Sequence, residues 1–384
     1  MTQGLAGINP KLLKWARESA GYSLEEISSI LKKDCDVIRD WESGKVSPTY
    51  VQLEKLAYKI YKRPIAIFFF PEPPDELTPT KSFRTLPEAE LQKLHSDTLY
   101  AIRQARAMQL ALYELSGQNH AGRIIFRDFK INENSKITHI AQQIRKFLGV
   151  SLEVQSKWKD VREALSIWRD LIQDAGIFVF KRSMKQRDIS GFCLLDHEFP
   201  IIYLNNSTPH TRQIFSLFHE LVHILLGENG VTKSDDSYIN YLSGRYKKVE
   251  IFCNVLAAEC LVPSKDFSQY SNQDFYDSSL VKTLADRYKV SREVILRRAL
   301  ASGLVDSAYY RKKAHGWAAQ AETGRSGSGG NYYATQATYL GSKFIKLAFS
   351  QFYQGRFTRE QLADFLNVKA QNLDRFEPLA IGRA

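Results

Sequence analysis

The sequence predicts an α+β protein, mostly α, on three observations. Residues 9–62 carry apolar positions three and four apart in four short runs. Residues 177–205 switch to brief apolar segments separated by polar turns. Helical spacing then returns at 212–227 and continues to the last residues. At 384 residues and 44 % hydrophobic, the chain can fill more than one core, since single cores seldom grow past about 250 residues. Four regions are expected. These are a helix-turn-helix bundle at 1–71, a connector at 72–84, a core at 85–310 with a small β-sheet, and a C-terminal helical domain at 311–384 with a Gly/Ser-rich loop at 324–331.

In the first region the runs are KLLKWARESAG, SLEEISSILKK, DCDVIRDWESG and TYVQLEKLAYKIY. Ser23 with Glu26 forms a capping box for the second run, Gly21 and Gly44 punctuate the turns, and Thr49 after Pro48 is a cap. Next, IAIFFF at 65–70 is an apolar anchor closed by PEPP, a boundary signal and too short to span a bilayer. No membrane association is expected. The opening MTQGLAGINPKLLKWARESAG lacks the charged and apolar regions of a secretory signal, so the cytoplasm is the expected compartment. Four cysteines with no CxxC pair fit reduced, buried thiols.

LLKWARESAGYSLEEISSIL followed by WESGKVSPTYVQLEKLAYKI resembles an Xre-type repressor domain, which implies DNA as a candidate partner through residues 9–62. The recognition-helix segment DCDVIRDW offers Asp34, Asp36 and Asp40 against Arg39, however, and carboxylates repel phosphates. Arg39 and Lys45 are the candidate DNA contacts. Residues 1–70 hold 11 basic and 8 acidic side chains, a mild balance that suits protein docking or a homodimer equally well. The whole chain carries 53 basic and 42 acidic residues, net +11, compatible with an anionic partner.

From 85 to 175 about three helices are expected, over TLPEAELQKLHSDTLYAIRQARAMQLALYEL, ITHIAQQIRKFLG and WKDVREALSIWRDLIQDAG. IFVF, GFCLL and PIIYLN then read as three short strands. Behind them comes FSLFHELVHILLG, where His219 and His223 stand four apart on an otherwise apolar helix and Glu220 follows the first histidine. Residues i and i+4 share one helix face, so both imidazoles can reach one ion, as in zincins. Zinc in a catalytic site takes three protein ligands and leaves a place for water, whose proton Glu220 can accept as general base. His95, His120, His139, His197 and His315 stand alone and read as surface or capping residues.

A third ligand must come from elsewhere. Leu226 and Asn229 stand where an HExxHxxGxxH site would need Gly and His. KKVEIFCNVLAAECLVP at 247–263 is a second helix, ended by Pro263, and it carries two glutamates, Glu250 and Glu259.

RQIFSLFHELVHILLG followed by VEIFCNVLAAECLVP resembles the ImmA/IrrE family of metallopeptidases. The resemblance extends to PEPP, the FRTL segment, GFCLL and GGNYY, and it implies a zincin-like metallopeptidase core at 85–310. In that family the glutamate opening the second motif is the third zinc ligand, which falls here on Glu250, with Glu259 as the alternative. Cys253 stands where the family usually has Ala. Asn254 is a candidate hydrogen-bond partner that orients a ligand.

The resemblance implies one Zn2+ per chain and a protease acting on a protein regulator, with a role in transcription regulation, stress response or toxin–antitoxin control. The expected activity is therefore zinc-dependent endopeptidase cleavage of a repressor or toxin-system partner. The alternative is a DNA-binding transcriptional regulator or antitoxin whose metal site is structural or sensing. A substrate is expected to lie extended along an edge strand near PIIYLN, with His210, Tyr203 and Tyr241 as candidate oxyanion donors.

Past Pro263, residues 279–305 repeat helix-turn-helix grammar with Ser291 as a cap. Their six basic against two acidic residues suit either nucleic acid or a helical pair completing the core. ETGRSGSGGNYY is a candidate self-cleavage or regulatory loop. The tail ends in FTREQLADFLNVKAQNLDRF, a last small helix-turn-helix pattern capped by Thr358, with Asn367 in its turn.

Overall fold

The computed structural model describes residues 4–76, 83, 86–117, 124–129, 131–233, 235–323 and 331–381. Its architecture is mostly helical with one small mixed sheet, the α+β class that the apolar spacing predicts. Two compact units are present: residues 1–82 with 88–104, and residues 83–87 with 105–384.

In the first unit α1 spans Pro10–Ser19, α2 Leu24–Leu31, α3 Cys35–Ser43 and α4 Tyr50–Glu54. A π-helical stretch, Lys55–Tyr61, continues α4, and a 3-10 turn follows at Ile65–Phe69. Local chemistry accounts for the ends. Ser23 and Glu26 form a reciprocal capping box on α2, and Thr49 and Gln52 form another on α4. Lys32 closes α2 with φ at 54°, a left-handed position that glycine would fill without strain. Leu12, Ala16, Ile27, Ile38, Trp41, Leu53 and Phe68 form the core.

Further along lie α5 (Glu88–Leu91) and α6 (Ser96–Ser116). The helix expected to run unbroken through this stretch is interrupted at His95, whose ring Nδ1 accepts the backbone N–H of Asp97 and starts α6 afresh.

The second unit continues with α7 (Ile125–Asp128), α8 (Ile137–Leu148), α9 (Leu152–Lys157) and α10 (Val161–Asp174). Its strands are β1 (Phe178–Arg182), β2 (Ile189–Leu194) and β3 (Ile201–Asn205). After α11 (His210–Leu226) come β4 (Val231–Lys233), a 3-10 turn (Asp236–Tyr241) and α12 (Gly244–Leu261). The sheet order is β1-β3-β2-β4, with β1 parallel to β3 and the other pairs antiparallel. This corrects one expectation. PIIYLN is β3, an inner strand hydrogen-bonded on both sides, so no peptide can pair with it. The two edges are β1 and β4.

Helix α11 lies against the sheet, α10 and α12, and every residue from Gln213 to Leu225 is buried. Trp168 of α10 packs its ring edge-on to Phe218 of α11 at 4.8 Å. Gly227, with φ at 75°, ends α11 by returning its N–H to the carbonyls of His223 and Ile224.

The remaining helices are α13 (Ser264–Phe267), α14 (Ser278–Tyr288), α15 (Arg292–Ala301), α16 (Ser307–Thr323), α17 (Tyr332–Leu340), α18 (Ser342–Tyr353), α19 (Arg359–Leu366) and α20 (Leu373–Ile381). The α14 and α15 pair packs into the main core through Val281, Leu284, Ile295 and Leu296. Buried Arg169 donates to the carbonyl of Val179 at 2.9 Å and to that of Thr338 at 2.7 Å, which ties α17 across β1. That edge is therefore covered. The loop expected at 324–331 falls on residues outside the described ones up to 330, as do His120 and residues 77–82, 84 and 85 of the expected connector and FRTL segment. Among the described residues no helix is long and apolar enough to cross a membrane.

Candidate metal centre

Two antiparallel-packed stretches of helix build the site. On α11, His219 and His223 face α12, and their Nε2 atoms lie 3.0 Å apart. On α12, Glu250 reaches back with Oε2 at 3.4 Å from His219 Nε2 and Oε1 at 3.3 Å from His223 Nε2. Glu250 and His223 are completely buried and His219 is 1 % exposed. Glu250, Cys253 and Asn254 stand at i, i+3 and i+4, so one face of α12 presents all three.

Hydrogen bonds fix the orientation of these groups. His219 Nδ1–H donates to Asn254 Oδ1 at 2.9 Å, which leaves the Nε2 lone pair directed at the cluster. The Tyr238 hydroxyl donates to Glu250 Oε2 at 2.7 Å. The Thr232 hydroxyl of β4 donates to Glu220 Oε1. Burial alone would raise the Glu250 carboxyl, but His223 and His219 hold it well below the usual carboxylate range.

Several polar atoms here are left without hydrogen-bond partners: Glu220 Oε2, His223 Nδ1 and Glu250 Oε1. Orphaned, fully buried polar atoms are costly, and their concentration at one point is what a site for a cation and a polar reactant needs. Two imidazole nitrogens and a carboxylate are a donor set that suits zinc. In a tetrahedral site with bonds near 2.0–2.1 Å the donor atoms lie about 3.3 Å apart. The two Nε2 atoms, 3.0 Å apart, lie near that spacing, and Glu250 offers a different oxygen to each ring, Oε2 to His219 at 3.4 Å and Oε1 to His223 at 3.3 Å. A second set overlaps it, because His219, His223 and the Cys253 sulfur also have donor atoms within 4.8 Å of one another.

The other predicted residues go elsewhere. Glu259 accepts from the backbone and hydroxyl of Ser264, each at 2.9 Å, and pairs with Arg298 at 2.8 Å, so it serves the α12 end and is not brought to the histidines. Tyr203 stacks on Phe192 inside the sheet at 5.1 Å, and Tyr241 is 81 % exposed. His210 begins α11, nine residues before His219 and so about 13 Å along the axis. In the first unit, Arg39 pairs with Asp36 on exposed surface and Lys45 with the half-buried Asp40.

Residues 172–300 match the Peptidase_M78 family model, described as the IrrE N-terminal-like domain. That span contains the whole sheet and both helices of the cluster. The match supports the ImmA/IrrE resemblance and a metallopeptidase for this part of the chain; it extends neither to α1–α4 nor to α17–α20. No curated protein matches the chain at a significant level.

Three residues of the site escaped the sequence reading. Gly230 lies so close that a Cβ there would meet His223 Cδ2 at 2.4 Å and Glu220 Oε2 at 2.6 Å. Thr232 and Tyr238 hold the two carboxylates. The glycine in ENGVTK was a visible turn signal, whereas nothing local marked the threonine or the tyrosine.

Proposed function

We propose that this chain is a zinc-dependent endopeptidase that cleaves a protein regulator such as a transcriptional repressor. The observation that carries the reading is the convergence of His219, His223 and Glu250 beside Glu220, whose Oε2 is buried and unpartnered. The match of the enclosing segment to a metallopeptidase family supports it. His219, His223 and Glu250 would hold one Zn2+ per chain, which supplies Lewis acidity toward water and toward a scissile carbonyl.

Glu220 Oε2 accepts the proton of the attacking water while Thr232 holds Oε1 still. The same carboxyl then delivers that proton to the departing amine. A substrate pairs as an added strand along β4, the sheet edge that carries Thr232, with main-chain hydrogen bonds holding the peptide extended. Tyr238 donates its hydroxyl proton to Glu250 Oε2 and so orients that carboxylate.

For residues 9–62 a protein partner or a second copy of the chain is favoured over DNA. A phosphate reaching Arg39 or Lys45 must displace the carboxylate of Asp36 or Asp40. An electrophoretic shift abolished by substituting Arg39 and Lys45 would reverse that preference.

The deciding experiment compares wild type with Glu220→Gln for zinc content and for cleavage of proteins encoded by neighbouring genes. Equal zinc with cleavage only by wild type supports the peptidase. Equal zinc with no cleavage by either under any inducing condition supports a regulator or antitoxin with a structural or sensing metal.

A further inference from the structure

Cys253 is completely buried on the α12 face that presents Glu250 and Asn254 to α11. Its sulfur and one ring nitrogen from each of His219 and His223 all lie within 4.8 Å of one another. The reaction proposed above makes no use of this thiol. A side chain needed only to fill space between two apolar helices requires no donor atom, and this one stands beside the two histidine nitrogens.

We propose that Cys253 is a fourth protein ligand, so that the metal rests in a closed site of two histidines, one glutamate and one cysteine. The inference rests on the metal-centre reading of the previous subsection. Its geometry is undemanding. With a zinc–sulfur bond of about 2.3 Å and zinc–nitrogen bonds of about 2.0 Å, a tetrahedral corner places sulfur roughly 3.5 Å from each nitrogen. The upper bound of 4.8 Å therefore leaves about 1.3 Å to be closed, within reach of a small side-chain rotation. The metal itself is argued from the buried Glu250 Oε1, whose neighbour is His223 Nε2 at 3.3 Å and which has no hydrogen-bond donor.

The consequence concerns regulation. A zinc ion with four protein ligands has no open place, and that is how structural sites differ from catalytic ones. The chain would thus be a latent peptidase in which sulfur and water compete for one position. Departure of the sulfur, not arrival of the metal, becomes the activating step.

The test uses the full chain loaded with one equivalent of zinc and, separately, of cobalt. X-ray absorption at the zinc edge should show one sulfur scatterer at about 2.3 Å in wild type. Cys253→Ala should lack it while keeping its nitrogen and oxygen shell. The cobalt form should show a near-ultraviolet thiolate charge-transfer band that the same variant loses. Zinc retention in Cys253→Ala should weaken by at least about tenfold, the lower end of what loss of even an outer partner causes. Wild-type zinc surrounded only by nitrogen and oxygen, with no cobalt band, overturns the role of Cys253 and leaves the peptidase reading standing. A wild-type chain that binds no stoichiometric metal, or binds it equally well as His219→Ala, overturns both.

Discussion

The Thr232 hydroxyl donates to Glu220 Oε1, and the other oxygen of that buried carboxylate has no hydrogen-bond partner. One oxygen is thereby fixed and the other is free to take a proton. Glu220→Gln keeps the shape and the Thr232 contact but cannot act as a base, so kcat should fall by about 10²–10⁴. Zinc content should stay at one per chain, since Glu220 is bonded to Thr232 and is not one of the three groups that would hold the metal. Thr232→Val should lower kcat by a smaller factor, roughly tenfold, through loss of orientation alone. Parallel measurement of zinc by atomic emission and of turnover separates the two effects.

Gly230 is predicted to be intolerant of any side chain. A Cβ there meets His223 and Glu220 within 2.6 Å, and the backbone cannot withdraw because it exchanges contacts with Cys193: N–H to sulfur at 3.2 Å and carbonyl from N–H at 3.0 Å. Gly230→Ala should therefore cost about 1–3 kcal/mol of stability and displace the histidine enough to reduce zinc binding. Gly227→Ala is the control. Its left-handed φ of 75° makes alanine strained by about 1–2 kcal/mol, yet nothing lies within 4 Å of the added methyl. Thermal melts should show both variants destabilised, with zinc lost only at 230.

Residues whose partners lie close in sequence were legible. The pairs Ser23 with Glu26 and Thr49 with Gln52 close within one helical turn, and so does Thr358 with Gln361. His219 and His223 belong to the same class, since the i, i+4 relation is a property of the helix itself. Glu250 lies more distant in sequence, and only the motif resemblance singled it out from Glu259. What spacing could not supply was the order of the strands. All residues of β2 and β3 are buried, so nothing in their composition distinguishes an inner strand from an edge. β4 is three residues long, too short for an alternating pattern, and it carries the threonine that orients Glu220. Tyr238 reaches Glu250 across twelve residues and a turn, a pairing that no local pattern marks.

Asn254 and Tyr238 orient the histidine and the carboxylate without joining them in ligation. Replacing Asn254 with Ala frees His219 Nδ1 and lets the ring rotate or change tautomer, so zinc affinity should fall by about 10–100-fold. Tyr238→Phe removes a hydrogen bond to a charged, buried acceptor, a loss of about 1.5–3 kcal/mol. Competition with a chromogenic chelator measures the first, and chemical denaturation of the metal-free and zinc-loaded forms measures the second. An Asn254→Ala chain that retains wild-type zinc affinity would show that the Asn254 contact does nothing for the metal.

Lys181 offers a prediction independent of any metal. It lies on β1, only 7 % exposed, and burial with help from Arg169 lowers its ammonium to about 7. In the unfolded chain the same group keeps its proton into the ordinary lysine range near 10.4. Between those values the unfolded state binds more protons than the folded one, so this residue makes stability rise with pH across the window from about 7 to about 10. Below pH 7 its burial cost is present in full. Lys181→Met should therefore stabilise the protein at pH 6–7, by about 1 kcal/mol or more given that one pKa unit corresponds to about 1.4 kcal/mol. The advantage should shrink as pH approaches 10, where the wild-type amine is already neutral in the fold. Denaturant midpoints for both chains at pH 6, 8 and 10 check the sign directly, and a difference that stayed constant or grew with pH would show that Lys181 keeps its charge in the folded state.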